Sequence, residues 1–222
     1  MKNKYSDYAI IFDMDGVIAD TNPYHSLAWK SFAEKYNFTI NDEDLKNHVF
    51  GRTNKSIFDF LFGDSLSPEK ISLLANEKEV LFRDIYKNNI KALPGLVELL
   101  ISIKNNFFKI GMATSAPSEN VSLIVDELRI NKFFDVIVDP KDITRSKPDP
   151  EIYIKCSQLL SVIPERCLVF EDSLPGIEAA VSAGMKVIGI TSTHSSDELK
   201  NTLITIDDFL QIDINKIKEI LK

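Results

Sequence analysis

The chain is organised around the stretch IIFDMDGVIADT, residues 10–21. Its apolar, β-branched start predicts a buried strand, and Asp13, Asp15 and Gly16 predict a turn at the carboxyl end of that strand. Ligand sites of open α/β sheets lie at such strand ends. Asp and Gly are also ordinary turn residues, so the stretch alone is equally consistent with a simple strand-to-turn junction. Two like charges held this close, however, indicate a cation between them.

Composition limits the classes of function. With 222 residues and 44% hydrophobic content, the chain is long enough for one large domain or a domain with an insertion. A net charge of −7 argues against nucleic acid and anionic membrane surfaces as partners. Apolar segments fall short of the roughly 20 residues that span a bilayer, and residues 1–7 lack the apolar stretch of a signal peptide. We therefore expect a cytoplasmic protein.

Hydrophobic spacing divides the chain into two parts. Residues 22–89 predict a helical block, with helices at 23–36, 42–47, 54–62 and 68–86. From Pro94 onward helices alternate with short apolar runs, a rhythm that predicts right-handed crossovers and a parallel sheet. The later strands are predicted at 109–113, 136–138, 168–170, 187–190 and 203–205. The fold class is therefore α/β, with a helical insertion after the first strand.

Polar residues follow several of these strands. The carboxyl ends of parallel strands face one crevice, so we expect the polar residues there to converge. They are Asp13, Asp15, Thr114, Ser115, Glu171 and Asp172, together with Lys147 in a loop before a helix. Acids packed this densely require a hard divalent cation, and oxygen ligands favour Mg²⁺ over Zn²⁺. Magnesium and a carboxylate nucleophile together indicate phosphoryl transfer.

The predicted roles follow from position. Asp13, at the strand end, is the nucleophile and a metal ligand, and Asp172 completes the metal site with Glu171 as a ligand or as its hydrogen-bond partner. Asp15 protonates the leaving oxygen, work that needs a carboxyl pKa raised by neighbouring negative charge. Lys147 bridges Asp13 and the phosphoryl group.

A hydroxyl is expected to bind a phosphoryl oxygen, and both Thr114 and Ser115 are candidates. Each polar residue also has an ordinary alternative. Lys147 would be a solvated loop lysine, and the hydroxyls or Glu171 and Asp172 would be helix N-caps. Four separate strand-to-helix junctions that all carry the residue type the reaction needs favour the site over four independent caps.

These motifs resemble those of the haloacid dehalogenase superfamily. The matching segments are residues 13–17, 113–115, 147–148 and 171–177. The resemblance implies a Rossmann-like three-layer α/β/α core formed by residues 1–20 and 90–222, a Mg²⁺ requirement and an aspartyl phosphate on Asp13. It also implies that Asp15 binds the metal through its backbone carbonyl.

The insertion, residues 21–89, resembles the small helical cap of the β-phosphoglucomutase and sugar-phosphate phosphatase branch. The resemblance implies that Thr21 and His25 control the general acid, that Arg52 grips a distal phosphate and that Lys78 binds substrate. The ordinary alternatives are a structural histidine, an arginine in a glycine turn and a lysine on a solvated face. Residues 19–21 and 91–93 would be the hinges.

One segment departs from the mutase pattern. Ala116 and Pro117 stand where the mutase has polar and basic residues for the distal phosphate, and neither offers a side-chain donor. Ser118 and Asn120 would compensate unless they only cap the next helix. The sequence therefore favours a monomeric phosphatase of small phosphorylated metabolites such as sugar phosphates, with β-phosphoglucomutase as the alternative.

Non-catalytic alternatives are a receiver-like signalling domain and a metal-binding regulatory protein. A receiver is shorter and carries its phosphorylated aspartate after a later strand. The complete catalytic set argues against a regulatory protein that has lost its activity.

Overall fold

The computed structural model describes residues 5–222, apart from the side chain of Asp64. Residues 1–4, part of the segment in which no signal peptide is predicted, lie outside the described residues. Six parallel strands form one sheet in the order β3-β2-β1-β4-β5-β6. They are β1 (Ala9–Phe12), β2 (Lys109–Ala113), β3 (Val136–Val138), β4 (Cys167–Glu171), β5 (Lys186–Ile190) and β6 (Ile204–Ile206). This confirms the predicted parallel α/β fold.

The order in which successive strands are added to the sheet reverses at β1. Its two neighbours are β2 and β4, with Phe12 paired to Met112 on one side and to Phe170 on the other. Every residue of β1 is buried, which explains its continuous apolar run, because helices cover both faces of a parallel sheet. The crevice for a ligand in such a sheet lies beyond the carboxyl ends of the strands at this reversal.

Helices cover both faces of the sheet and so complete a three-layer arrangement, and further helices form the insertion. They are α1 (Asn22–Tyr36), α2 (Asp42–Asp44), α3 (Asn54–Phe62), α4 (Pro68–Tyr86), α5 (Leu96–Asn105), α6 (Ser118–Glu127), α7 (Glu151–Leu160), α8 (Leu174–Ser182) and α9 (Ile214–Ile220). Apolar residues of α5, α6 and α9 pack in one core cluster, and those of α7 and α8 pack in a second on the other face of the sheet.

One predicted helix differs from the structure. The segment predicted as a helix at 42–47 is α-helical only over Asp42–Asp44 and continues as a π-helical turn, Leu45–Val49. The Phe50 backbone N–H donates to the Leu45 carbonyl, which closes this wider turn. Leu45 and Val49 are both buried as a result.

The helical insertion has a hydrophobic cluster of its own. Trp29, Phe32, Phe58 and Leu74 belong to this third cluster, which is separate from the two beside the sheet. The domain boundaries at residues 20–21 and 89–90 stay predictions. Within residues 5–222, the helices lack the combination of length and apolar character that a membrane crossing needs.

Candidate active site

Three carboxylates meet at the end of the two central strands. Asp13 follows β1, Glu171 is the last residue of β4, and Asp172 comes next. The pairing of β1 with β4 puts these residues side by side, and one oxygen from each lies within 4.8 Å of the others. All three side chains are buried. The structure thus brings together acids that are about 160 positions apart in the chain, as parallel strand ends predict.

Lys147 lies inside this group of acids. Its Nζ lies 3.0 Å from Asp13 Oδ1 and 2.6 Å from Glu171 Oε1, and its side chain is fully buried. The solvated-loop alternative for Lys147 is therefore wrong. We call Asp13, Lys147, Glu171 and Asp172 the strand-end cluster.

Both oxygens of Glu171 are fully used as hydrogen-bond acceptors. Oε1 accepts from Lys147 Nζ and from the Tyr153 hydroxyl at 3.0 Å. Oε2 accepts from the backbone N–H and the hydroxyl of Ser173 at 2.8 and 3.0 Å. Two donors on each oxygen occupy the lone pairs of this carboxylate. Glu171 is thus held as the partner that orients Lys147.

The charges of the strand-end cluster do not balance. Burial, with smaller contributions from Glu171 and Asp15, raises the pKa of Asp13 to about 7 against the opposing effect of Lys147. Burial, Glu171 and Asp13 also hold the pKa of Asp172 well above its usual range. Three carboxylates beside one ammonium leave two negative charges, which one divalent cation would neutralise. The donors are all oxygens, so these residues fit Mg²⁺.

Asp15 faces the helical insertion. Its Oδ1 accepts a hydrogen bond of 2.6 Å from the Thr21 hydroxyl and lies 3.5 Å from Nε2 of His25. Burial alone would raise the pKa of Asp15, but His25 and Thr21 outweigh it and lower the pKa below its usual value. The expectation of a raised pKa is therefore wrong for this arrangement, because these partners stabilise the carboxylate. The Thr21 hydroxyl donates its hydrogen bond to Asp15, and Thr21 does not line the cleft described below.

The two predicted hydroxyls are in different surroundings. Thr114 is buried, and its Oγ1 accepts from the backbone N–H of Ala116 at 3.1 Å within the turn before α6, whose N-cap residue is Pro117. Ser115 donates to the Gly51 carbonyl of the insertion at 3.1 Å. Gly51 has a φ of +76°, and a Cβ there would overlap the Ser173 side chain. This glycine thus lets the insertion approach the strand ends closely.

A narrow cleft lies between the strand ends and the insertion. It contains six of the predicted site residues: Asp13, Asp15, His25, Arg52, Lys78 and Ser115. Thr21, Thr114, Lys147, Glu171 and Asp172 do not line it. The Nε atom of Arg52 is buried and has no hydrogen-bond partner among the described residues.

A second buried polar group joins three helices beside the cleft. Lys78 Nζ lies 2.7 Å from Glu79 Oε1 and 3.1 Å from His25 Nδ1, and Asn120 Nδ2 donates to Glu79 Oε2 at 2.7 Å. We call His25, Lys78, Glu79 and Asn120 the three-helix cluster. Lys78 is only 2% exposed, so the solvated-face alternative is wrong.

At Glu79, the charged partners together affect the pKa more than burial does. Burial opposes ionisation there, but Lys78 and His25, with a hydrogen bond from Asn120, lower the pKa of Glu79 to about 2. The sequence does not single out Glu79 as a site residue, and it suggests Asn120 only as a donor that would compensate for Ala116 and Pro117. Glu79 lies in a run of charges that is typical of a solvated helix face, and no local signal marks its burial.

Sequence reasoning also missed the partners of Asp172. Its Oδ2 accepts from the Asn22 amide at 3.2 Å and from the Thr193 hydroxyl. Ser192, beside Thr193, donates to the Gly16 carbonyl at 2.6 Å. Ser192 and Thr193 follow β5 closely, so the same strand-end rule that found Asp13 would have found them.

Comparisons with known proteins agree with this geometry. Residues 10–190 match the family described as haloacid dehalogenase-like hydrolase. The chain is 36% identical over 201 residues to a phosphorylated carbohydrates phosphatase of Thermotoga maritima, covering 88% of this chain and 89% of that protein. It is also 36% identical over 191 residues to a β-phosphoglucomutase of Bacillus subtilis, covering 82% of each chain.

Solved structures show the same similarity. A β-phosphoglucomutase from Clostridium difficile superposes with a TM-score of 0.86 at 31% identity, over 96% of each chain. A family IA, variant 3 hydrolase from Entamoeba histolytica gives a TM-score of 0.87 at 30% identity, over 96% of this chain and 99% of that one. From its strand-end acids and these matches, this chain belongs to the haloacid dehalogenase-like hydrolase family.

Proposed function

We propose that this protein is a Mg²⁺-dependent phosphatase of small phosphorylated carbohydrates that works through an aspartyl phosphate on Asp13. The similar proteins from Thermotoga maritima and Bacillus subtilis are named for a phosphorylated-carbohydrate phosphatase and a β-phosphoglucomutase, so both activities are candidates. The side of the cleft lined by Ala116 and Pro117 would face the distal end of the substrate, and its residues favour a phosphatase over a mutase.

That side of the cleft offers few free hydrogen-bond donors. Ala116 and Pro117 line the cleft without side-chain donors. The Ser118 hydroxyl donates to Asp139, and Asn120 donates to Glu79 while its Oδ1 accepts from Arg83 at 2.8 Å. The two residues that would compensate for Ala116 and Pro117 are therefore engaged elsewhere. This observation carries the preference for a phosphatase.

In the first half-reaction, an oxygen of Asp13 attacks phosphorus and the bond from phosphorus to the substrate oxygen breaks. Lys147, 3.0 Å from Asp13 Oδ1, offsets the negative charge that gathers on the transferring group. Protonated Asp15 gives its proton to the leaving oxygen, so the alcohol departs neutral. To do so it must leave Thr21 and His25, which hold it ionised in this arrangement.

In the second half-reaction, water takes the place of the alcohol. Asp15, now ionised, accepts a proton from this water, whose oxygen attacks phosphorus as the bond to Asp13 breaks. Inorganic phosphate leaves and Asp13 is restored as a carboxylate. Ser115 lines the cleft but donates to the Gly51 carbonyl, and Thr114 does not line the cleft, so both hydroxyls stay candidates for binding a phosphoryl oxygen.

Asp13 and Asp172 would hold the Mg²⁺, which supplies positive charge for the phosphoryl oxygens and for the buried carboxylates. The family resemblance adds the backbone carbonyl of Asp15 as a ligand. Glu171 orients Lys147 and is placed as the hydrogen-bond partner of the site, since its lone pairs are already used.

The second candidate function is that of a β-phosphoglucomutase. Arg52 favours it, because its Nε is buried beside the cleft without a partner and an arginine binds a second phosphate well. Lys78 adds little to this, because Glu79 neutralises it.

The test incubates the wild-type protein with Mg²⁺ and a panel of sugar phosphates, including β-glucose 1-phosphate with glucose 1,6-bisphosphate. Inorganic phosphate and glucose 6-phosphate are both followed, with Asp13→Asn as the control. We expect phosphate release that Asp13→Asn abolishes. Formation of glucose 6-phosphate faster than phosphate release would establish the mutase instead, and no turnover of any compound would refute both.

A further inference from the structure

Asp172 Oδ2 accepts hydrogen bonds from three side chains that have no assigned role: Asn22, Thr193 and, more weakly at 3.3 Å, Ser192. Asn22 Nδ2 lies 3.2 Å from Asp172 Oδ2 and 2.5 Å from Thr193 Oγ1, and the Thr193 hydroxyl donates to the same Oδ2. The donors balance, because the amide of Asn22 has two protons and the hydroxyl of Thr193 has one. Within residues 5–222, Asp172 Oδ1 accepts no hydrogen bond, so these partners fix Oδ2 and leave Oδ1 free to bind a ligand.

These partners come from different parts of the fold. Asn22 is the first residue of α1, where the insertion begins, and Thr193 lies in the turn after β5. Asn22 is 7% exposed and Asp172 is 2% exposed, whereas Thr193 is partly exposed, so the bridge runs from the buried site to its edge.

The backbone beside the bridge is tightly fitted. A Cβ at Gly16 would overlap the Asp172 carboxylate and approach Asn22 Nδ2, so only glycine permits this packing. The Ser192 hydroxyl ties the Gly16 carbonyl to the same turn at 2.6 Å. The turn after β5 therefore contacts both the loop that carries Asp15 and the side chain of Asp172.

We infer that Asn22 and Thr193 are positioning residues for the divalent cation, holding Asp172 so that its Oδ1 is presented as the ligand atom. Hydrogen-bond partners of metal-binding carboxylates orient them and strengthen binding. The helical insertion thereby contributes to a cation site whose ligands all come from the sheet. This inference rests on the proposed Mg²⁺ site, and the experiment separates the two.

Mg²⁺ binding to the whole protein is measured by isothermal titration calorimetry without substrate. We expect Asn22→Ala and Thr193→Val to weaken Mg²⁺ binding by about 10- to 100-fold. Thr193→Ser keeps the hydroxyl and should bind Mg²⁺ as the wild type does. Thr191→Val is the matched control, because it removes a hydroxyl of the same turn that bonds to Asp207 and the Ile206 carbonyl instead.

Thermal unfolding in EDTA shows whether each variant folds, with Asn22→Ser and Thr193→Ala as second variants. A lower melting temperature in EDTA with an unchanged Mg²⁺ affinity would mean a merely structural role and would overturn the inference. Equal weakening by Thr191→Val would overturn it as well. If the wild-type protein itself binds no Mg²⁺, the proposed cation site fails and the inference falls with it.

Discussion

The strand-end cluster and the three-helix cluster are two buried charged groups about the same cleft, and their charges are arranged differently. In the strand-end cluster, three carboxylates share the single ammonium of Lys147. In the three-helix cluster, Lys78 and Glu79 form one ion pair, and amide and imidazole groups supply the remaining contacts. Burial dominates in the first and raises the pKa of Asp13, whereas the partners dominate in the second and lower the pKa of Glu79.

This difference indicates that the strand-end cluster is suited to bind a cation, whereas the three-helix cluster is suited to hold helices together. An excess of buried negative charge costs stability until a cation binds, and perturbed pKa values of this kind are typical of functional sites. The balanced pair needs no further ligand. It joins α1 and α4 to α6 and so connects the insertion to the core.

The largest effect is expected at Asp15, which lies between the two clusters. Asp15→Asn should lower the rate on sugar phosphates by about 10²- to 10⁴-fold, because the leaving alkoxide loses its proton donor. The loss in the first half-reaction should be much smaller with p-nitrophenyl phosphate, whose leaving group departs without a proton. Single-turnover release of the alcohol or of p-nitrophenolate, which precedes the attack of water, checks this on both substrates, with Asp20→Asn as the neighbouring control. Equal losses on the two substrates would contradict a role as general acid.

Breaking the ion pair between Lys78 and Glu79 should cause the largest loss of stability. Lys78→Met leaves Glu79 as an unpaired buried charge and should lower the free energy of unfolding by about 3 kcal/mol. Lys78→Met with Glu79→Gln removes both charges and should recover part of that loss. Urea denaturation measures both, and Lys70→Met on the exposed face of α4 is the control. An additive double variant would show that the two side chains are not coupled.

An isosteric change from carboxylate to amide should have opposite signs in the two clusters. In EDTA at pH 8, Asp13→Asn should raise the free energy of unfolding by about 1 kcal/mol, because it removes a charge that burial disfavours. Glu79→Gln should lower it, because Lys78 loses its partner. Urea denaturation of the two variants checks the signs, and a shared sign would refute the comparison.

The raised pKa of Asp13 also predicts a pH dependence of the metal-free protein. The pKa of Asp13 is raised from 3.8 to about 7, so between these values the folded state keeps a proton that the unfolded state has lost. Stability in EDTA should therefore fall as the pH rises through this window, and Mg²⁺ should restore it most near neutral pH. Thermal unfolding with EDTA or Mg²⁺ at pH 5 and pH 7 measures this. A Mg²⁺ effect that is no larger at pH 7 would contradict it.

Glu79 has the opposite dependence. Its pKa is lowered from 4.5 to about 2, so its contribution to stability is present above pH 4.5 and is lost as the pH falls toward 2. In Glu79→Gln, the acid loss over this window should be smaller than in the wild type.

Most of the strand-end cluster could be predicted because its signal is local. Asp13, Lys147 and Asp172 each stand beside a strand or a loop that the apolar pattern locates, and parallel strands bring such residues to one edge. Ser192 and Thr193 are also polar residues that follow a strand, β5, so the same rule would have identified them. Lys78 and Glu79 carry no local signal, because a charged pair on a helix looks the same whether that face is solvated or covered.

The sequence by itself determined the parallel α/β fold, the helical insertion after the first strand and the acids that stand at the strand ends, since periodicity and strand-end position are properties of neighbouring residues. Only the tertiary structure decided that Asp15 turns toward Thr21 and His25, that Asn120 is engaged with Glu79, and that Asn22 reaches Asp172. These contacts join residues from separate helices and strand ends. Their hydrogen bonds and charges depend on the distances that packing sets.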